Sequence, residues 1–168
     1  MILQEETEIF ESETAGELHD RLKDSGAKLL IRAVRLILEG KADRTAQIEE
    51  DSSYAPMLKK EIGKIDFSKS AQEISNLIRG TNPWPIAYCI KENETFRIHK
   101  ARVTKNTGNL QNLKPGQVLG FEEDKGLLVL CGDGNAISFF EVQAQGGRKM
   151  GISEYLCGHP IKEGFLFQ

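Results

Sequence analysis

Three groups of basic side chains carry the chemistry this sequence offers. Lys59, Lys60 and Lys64 fall close together, Arg97, Lys100 and Arg102 follow one another along a second stretch, and Arg148-Lys149 comes directly after Gly146-Gly147. Cations at such spacing can neutralise successive phosphates of a nucleic-acid backbone, and a glycine pair lets the main chain approach a ligand closely. Taken as a set on the rim of a barrel, they would form a phosphate-tracking groove. The competing explanation is that each is an ordinary surface charge, because linear spacing does not show that they share a face. Other chemistries are poorly served. Gly132-Asp133-Gly134 begins a glycine-rich phosphate loop, but Ile137 stands where the last glycine belongs, so the stretch reads as a turn between strands. His19, His99 and His159 are isolated, with no metal-ligand spacing, and no serine lies in a nucleophile elbow. Neither catalytic nor metal-binding residues are expected.

Composition narrows the class without choosing a function. The chain has 168 residues, 39% hydrophobic and 28% charged, with a net charge of -3, which is ordinary globular usage. The acidic excess lies in residues 1–81, and the remainder is close to balance. The longest apolar run, Leu29-Leu30-Ile31, is broken at once by Arg32, and the N-terminus lacks the pattern of a secretory signal. Cys89, Cys131 and Cys157 are odd in number and far apart, so they read as buried thiols of a reducing compartment, with the cytoplasm as the default.

The elements that must position the basic residues can be read from capping and periodicity. Met1 to Phe10 reads as a strand running into a polar loop. Thr14-Ala15-Gly16-Glu17 is a capping box, followed by Leu18, Leu22, Leu29, Leu30, Ala33, Val34, Ile37 and Leu38 at helical spacing up to Gly40, with Gly26 as a candidate break. That face needs a large partner surface. Residues 41–67 have the composition of a linker. Ser70 and Glu73 open a second helix with the stripe Ala71, Ile74, Leu77 and Ile78, closed by Gly80. Thr81-Asn82-Pro83-Trp84-Pro85 holds the only tryptophan between two prolines and predicts a stiff, extended join. Strands follow at 86–90, 95–103, 118–121, 127–131 and 136–140, with an irregular segment at 104–116 and a short helix near Ser153. In the second strand Phe96 and Ile98 share one face whereas Ala101 and Val103 share the other, which predicts a β-bulge near His99-Lys100. The fold class expected is α+β, with a small Greek-key barrel of the oligonucleotide-binding (OB) type behind a leading helix. Jelly-roll and SH3-like barrels remain open on pattern alone.

Five stretches then carry a resemblance: "LQEETEIFESETAGELHDRL" at 3–22, "YAPMLKKEIGKIDFSKSAQEI" at 54–74, "IRGTNPWPIAY" at 78–88, "GDGNAISFFEVQAQGGRKM" at 132–150 and "GHPIKEGFLF" at 158–167. In order and spacing the chain resembles the C-terminal portion of the methionyl-tRNA formyltransferase family. The resemblance implies that residues 1–40 are the last strand and helix of a Rossmann-like catalytic domain, 41–67 a linker, and 68–168 an OB-like C-terminal domain that helps to bind the acceptor arm of initiator tRNA. Phosphate contacts are expected from Lys60, Lys64, Arg97, Lys100, Arg148 and Lys149, and the resemblance implies a structural elbow at Pro83, Trp84 and Pro85. The family's catalytic Asn, His and Asp have no counterpart here, so the chain by itself is expected to be inactive and to bind no cofactor. The co-substrate 10-formyltetrahydrofolate belongs to the full-length enzyme, and the missing catalytic domain would be a partner.

Two positions depart from the family pattern: Met57 stands where a lysine is usual, and Gly151 where a serine often caps the last helix, with Ser153 as its replacement. Two other functions fit parts of the sequence. One is the C-terminal part of a UDP-amino-sugar formyltransferase, against which the basic Gly146–Met150 stretch argues. The other is a free-standing OB-type interaction module whose first helix pairs with a partner chain.

Overall fold

Two capping boxes set where the longer helices begin. The Glu17 amide donates to Thr14 Oγ1 at 3.3 Å while the Thr14 amide donates to the Glu17 carboxylate at 2.8 Å; Ser70 and Glu73 repeat the exchange at 3.2 and 3.0 Å. The computed structural model describes residues 1–105, 108 and 112–168. It divides into two compact units, Met1–Met57 and Leu58–Gln168, and holds three α-helices and one antiparallel sheet.

In the first unit, helix α1 (Ala15–Leu38) runs unbroken through Gly26, so the expected division into two helices does not occur. A lone interior glycine costs only about 1 kcal/mol relative to alanine, and the N-terminal end is well fastened. Arg21 donates to the Glu13 carboxylate at 2.6 and 2.8 Å and to the Glu8 carbonyl at 2.6 Å, and its guanidinium lies 4.5 Å from the centre of the Phe10 ring. Residues 1–10 are extended but form no strand, contrary to the sequence expectation. Alternating side chains suit a strand, but only a ladder partner makes one. α1 buries none of its residues within this unit, and Leu30, Ile31, Ile37 and Leu38 are more than half exposed.

The second unit opens with a 3-10 turn at Lys60–Gly63 and helix α2 (Ala71–Gly80). Strands β1 (Ala87–Lys91), β2 (Glu94–Thr104), β3 (Val118–Glu122), β4 (Gly126–Leu130), β5 (Ala136–Ala144) and β6 (Met150–Gly151) follow, then helix α3 (Ile152–Gly158). The strands lie in the order β1-β2-β5-β4-β3, with β6 paired to β5. The C-terminal tail bonds to both ends of this order. Gln168 exchanges two hydrogen bonds with Ile90 of β1, while Phe167 and Val118 bond to Gly116 and Phe165 along the β3 side. This arrangement places the Phe167 ring among four others, with centroids 5.1 Å from Phe165, 5.8 Å from Phe96, 6.1 Å from Phe139 and 6.2 Å from Phe67. Ile74 and Ile78 of α2 and Ile152 and Tyr155 of α3 pack onto the same core. The turn at Gly132 touches the segment before α2: its amide donates to the Lys69 carbonyl at 2.9 Å, and a Cβ there would overlap the Ser68 carbonyl.

Three local expectations need correction. The 81–85 join is a turn closed by the Ile86 amide on the Thr81 carbonyl at 2.9 Å, with Asn82–Pro83 and Trp84–Pro85 both cis, and is not extended. Helix α3 starts at Ile152 behind Gly151 with no side-chain cap, so Ser153 lies inside the first turn and caps nothing. Cys157 is exposed, whereas Cys89 and Cys131 are buried as expected. The second unit begins at Leu58, and Ile65 and Phe67 enter its core. The irregular segment 104–116 falls partly outside the described residues.

Phe167→Ala should lower stability by about 3–5 kcal/mol, as expected for emptying an aromatic site in a core. Trp84 is 53% exposed, so Trp84→Ala should cost clearly less. Urea denaturation of both variants checks the contrast; equal losses would show that the tail ring is not the centre of the core.

Candidate nucleic-acid interface

Whether the basic residues share a face is decided by the register of β2 on β5. Ile98 pairs with Val142, but Lys100 pairs with Glu141, so β2 uses two residues where β5 uses one, and His99 is the extra residue. The next pair, Ala101 with Phe139, restores the register through an extra residue on β5. In a regular strand Arg97 and Lys100, three positions apart, would point to opposite faces. With the bulge, Phe96, Ile98 and Ala101 all pack on the core, while Arg97, His99, Lys100 and Arg102 remain outside it. The bulge expected near His99-Lys100 therefore puts the strand's cations on the outer surface.

A second ordering runs across the strands. Lys64 forms a parallel bridge with Tyr88, Tyr88 pairs with Arg97, and Arg97 pairs with Gln143. Directly paired residues present their side chains on the same face. The neighbouring row, Ala87, Ile98 and Val142, is fully buried, so the row of Lys64, Tyr88, Arg97 and Gln143 faces outward. Lys64 reaches this row because Gly63 lies against β1, where a Cβ would collide with the Ile86 carbonyl oxygen. The Ile65 amide then donates to the Tyr88 carbonyl at 2.8 Å. Lys60 is exposed on the 3-10 turn just before.

His99 ties the surface together. Its backbone carbonyl accepts from Asn82 Nδ2 at 3.0 Å, joining the bulge to the proline-rich turn, and its Nε2 meets Gln143 Oε1 at 3.1 Å. Gln143 Nε2 in turn donates to the Gly147 carbonyl at 2.8 Å, which fixes the glycine pair that precedes Arg148. Burial pushes the imidazole below its ordinary value; Gln143 opposes that shift, Lys149 and Arg97 add to it, and Glu141 opposes it. The expected cations are not equivalent. Lys149 bonds to Glu141 at 2.6 Å and Arg148 to Glu154 at 2.5 Å. The Lys149 bond in turn holds the Glu141 carboxyl below the usual carboxylate range. Among the described residues, Lys60, Lys64 and Arg97 have no carboxylate partner, whereas Lys100 lies opposite Glu141 and helps to lower its carboxyl.

Of the residues named from sequence, the register brings Lys64, Arg97 and Lys100 to one surface, with Lys149 beside Glu141. Tyr88 and Gln143 were missed by sequence reasoning. Arg102 also belongs here, with its guanidinium 5.3 Å from the Phe140 ring centre. Among the described residues no group of His, Cys, Asp and Glu is placed to hold a metal ion, and no helix is long and apolar enough to cross a membrane.

Residues 57–160 match the family described as formyl transferase, C-terminal domain. A methionyl-tRNA formyltransferase of Alkaliphilus oremlandii is 44% identical over 164 residues, covering 98% of this chain and 51% of the relative. One of Acetivibrio thermocellus is 40% identical with the same coverage. The chain thus spans about half the length of the curated relatives it matches. Among solved structures, a variant of HypX from Aquifex aeolicus has a TM-score of 0.64 at 14% identity, over 95% of this chain and 30% of that one. HypX in complex with tetrahydrofolic acid has a TM-score of 0.57 at 14% identity, over 84% and 26%.

The surface should be sensitive to acid through His99. Its folded midpoint lies below the ordinary 6.5, so the folded state binds fewer protons than the unfolded one as pH falls past 6.5. The stability of the neutral ring is fully present above that pH and is lost progressively down to the folded midpoint. Proton NMR should place the His99 midpoint below 6.5, and Lys149→Met should raise it. A midpoint at or above 6.5 would refute the assigned environment.

Proposed function

This chain belongs to the formyl transferase C-terminal domain family, and on that premise we propose that it is the tRNA-binding, C-terminal part of a methionyl-tRNA formyltransferase. The whole enzyme would formylate the amino group of methionyl initiator tRNA in the cytoplasm, with 10-formyltetrahydrofolate as co-substrate. No residue of this chain is assigned to the folate or to formyl transfer. Its contribution is to bind and orient the acceptor arm. Residues 1–40 are read as part of the catalytic domain, and the exposed apolar face of α1 suits a helix that covers a further sheet. The OB-type Greek-key barrel belongs to the same reading, supported by the order β2-β5-β4-β3 and by a tail bonded at both ends of the sheet.

The observation that carries the proposal is the outward gathering of Lys64, Arg97 and Lys100 by the cross-strand row and the bulge. Three cations there face one carboxylate, Glu141, which Lys149 already engages. A surface of that kind attracts a phosphate backbone, and releasing the backbone's counterions supplies much of the affinity. Lys60 extends the cationic surface along the preceding turn. Arg148 and Lys149 would contribute after exchanging a carboxylate for a phosphate, so each is worth less than Arg97 or Lys100. Pro83, Trp84 and Pro85 are read as the structural elbow, with Asn82 holding the bulge from the same turn.

Titration of the chain with initiator tRNA at several salt concentrations tests this. The logarithm of affinity should fall linearly with the logarithm of salt, with a slope of about 0.9 per phosphate contact. Arg97→Gln combined with Lys100→Gln should flatten the slope by about two contacts, and Arg148→Gln by less than one. A folded chain that binds no tRNA, or one that binds a UDP-amino sugar instead, would overturn the proposal.

A further inference from the structure

The row that supplies the cations also contains an aromatic ring, and the register sets that ring between two of them. Tyr88 is bridged to Lys64 on one side and paired with Arg97 on the other. Directly paired residues have Cβ atoms about 4.5–5.5 Å apart, so an ammonium and a guanidinium flank the ring on one surface. Ala87 and Cys89, its neighbours along the strand, are completely buried, so the Tyr88 side chain points away from the core. Several rings of this unit are committed elsewhere, although Trp84 and Phe121, outside the cross-strand row, are exposed. Phe67, Phe96, Phe139 and Phe167 stack within the core, and Phe140 lies beneath Arg102. Among the described residues, the Tyr88 side chain makes no hydrogen bond and no ring contact.

We infer that this surface binds an unpaired nucleotide of its RNA, with the base stacked on Tyr88 and the adjoining phosphates held by Lys64 and Arg97. The inference rests on the tRNA-binding reading and adds the class of RNA segment that the site takes. Cations alone do not distinguish a duplex from a single strand, since both present phosphates. A base inside a duplex has its faces covered by its neighbours, whereas an unpaired base offers a face to an aromatic side chain. A ring placed between two phosphate-binding side chains is thus suited to a single-stranded segment, and it accepts any base because every base has a π-face. Phe140 with Arg102 is a second cation–aromatic pair on the same sheet. It lies three residues along β5 from Gln143, which is about 10 Å at strand rise, in line for the continuing strand.

The test uses the full chain and two probes, a blunt-ended RNA hairpin and the same hairpin with a short single-stranded 3′ extension. The extended hairpin should bind more tightly by about five- to a hundredfold, the range of a single stacked base. Tyr88→Leu should abolish that preference and leave affinity for the blunt hairpin and its salt slope unchanged, whereas Tyr88→Phe should retain the preference. Equal affinity of the parent chain for both probes, or a preference that survives Tyr88→Leu, would overturn the inference while leaving the tRNA-binding reading intact. Binding of neither probe by a folded chain would remove both.

Discussion

The register slip at His99 is the constraint on which the surface depends. A strand with a strict alternation must send residues three apart to opposite faces, and Arg97 and Lys100 are three apart. Without the slip, one of them would point into a core packed with Phe96, Ile98 and Phe139. Burying a lone cation there carries a desolvation cost of several kcal/mol. The bulge removes the conflict by inserting one residue, and that residue is then held on two sides. Asn82 takes its backbone carbonyl and Gln143 takes its ring. The proline-rich turn, the bulge and the glycine pair before Arg148 are therefore one connected structure, although they are far apart in the sequence.

Closure of the core by the tail is the second constraint, and it acts on the same surface from the inside. Phe167 contacts rings contributed by β2, β5 and the segment before α2. That packing holds the Ile65–Phe67 segment against β1, where Lys64 lies beside Tyr88. Gly63 permits the approach, because any side chain there would strike the Ile86 carbonyl. Outward placement of Lys64 is thus a consequence of inward packing one and three residues later. The placement of this cation is a by-product of how the core is filled.

Much of this could be read from the sequence, and the misses share a cause. Both capping boxes and the bulge are local, set by residues within a few positions, and they appear where the residue types place them. The basic residues were identifiable, but their common face was not, because cross-strand register joins residues such as Lys64 and Arg97 that lie far apart in the chain. Tyr88 escaped notice for the same reason: next to Ala87 and Cys89 it resembles core, and only its partners show it to be outside. The reading of 1–10 as a strand failed because pattern gives no information about the presence of a ladder partner. Gly26 and Ser153 were over-weighted. One glycine is a small penalty in a helix of 24 residues, and a serine caps a helix only when it precedes the first turn.

The ion pairs give the surface its internal order. A phosphate reaching Lys149 must displace Glu141, and one reaching Arg148 must displace Glu154. Both pairs are largely exposed, where such contacts are worth at most about 1 kcal/mol, so the exchange is affordable but not free. Lys64 and Arg97 have no carboxylate to release among the described residues. On the proposed reading, the first contacts would therefore fall to the cross-strand row, and the glycine-pair end would join afterwards. An overall charge of -3 is compatible with this arrangement, because the bulge gathers cations by placement and not by net charge.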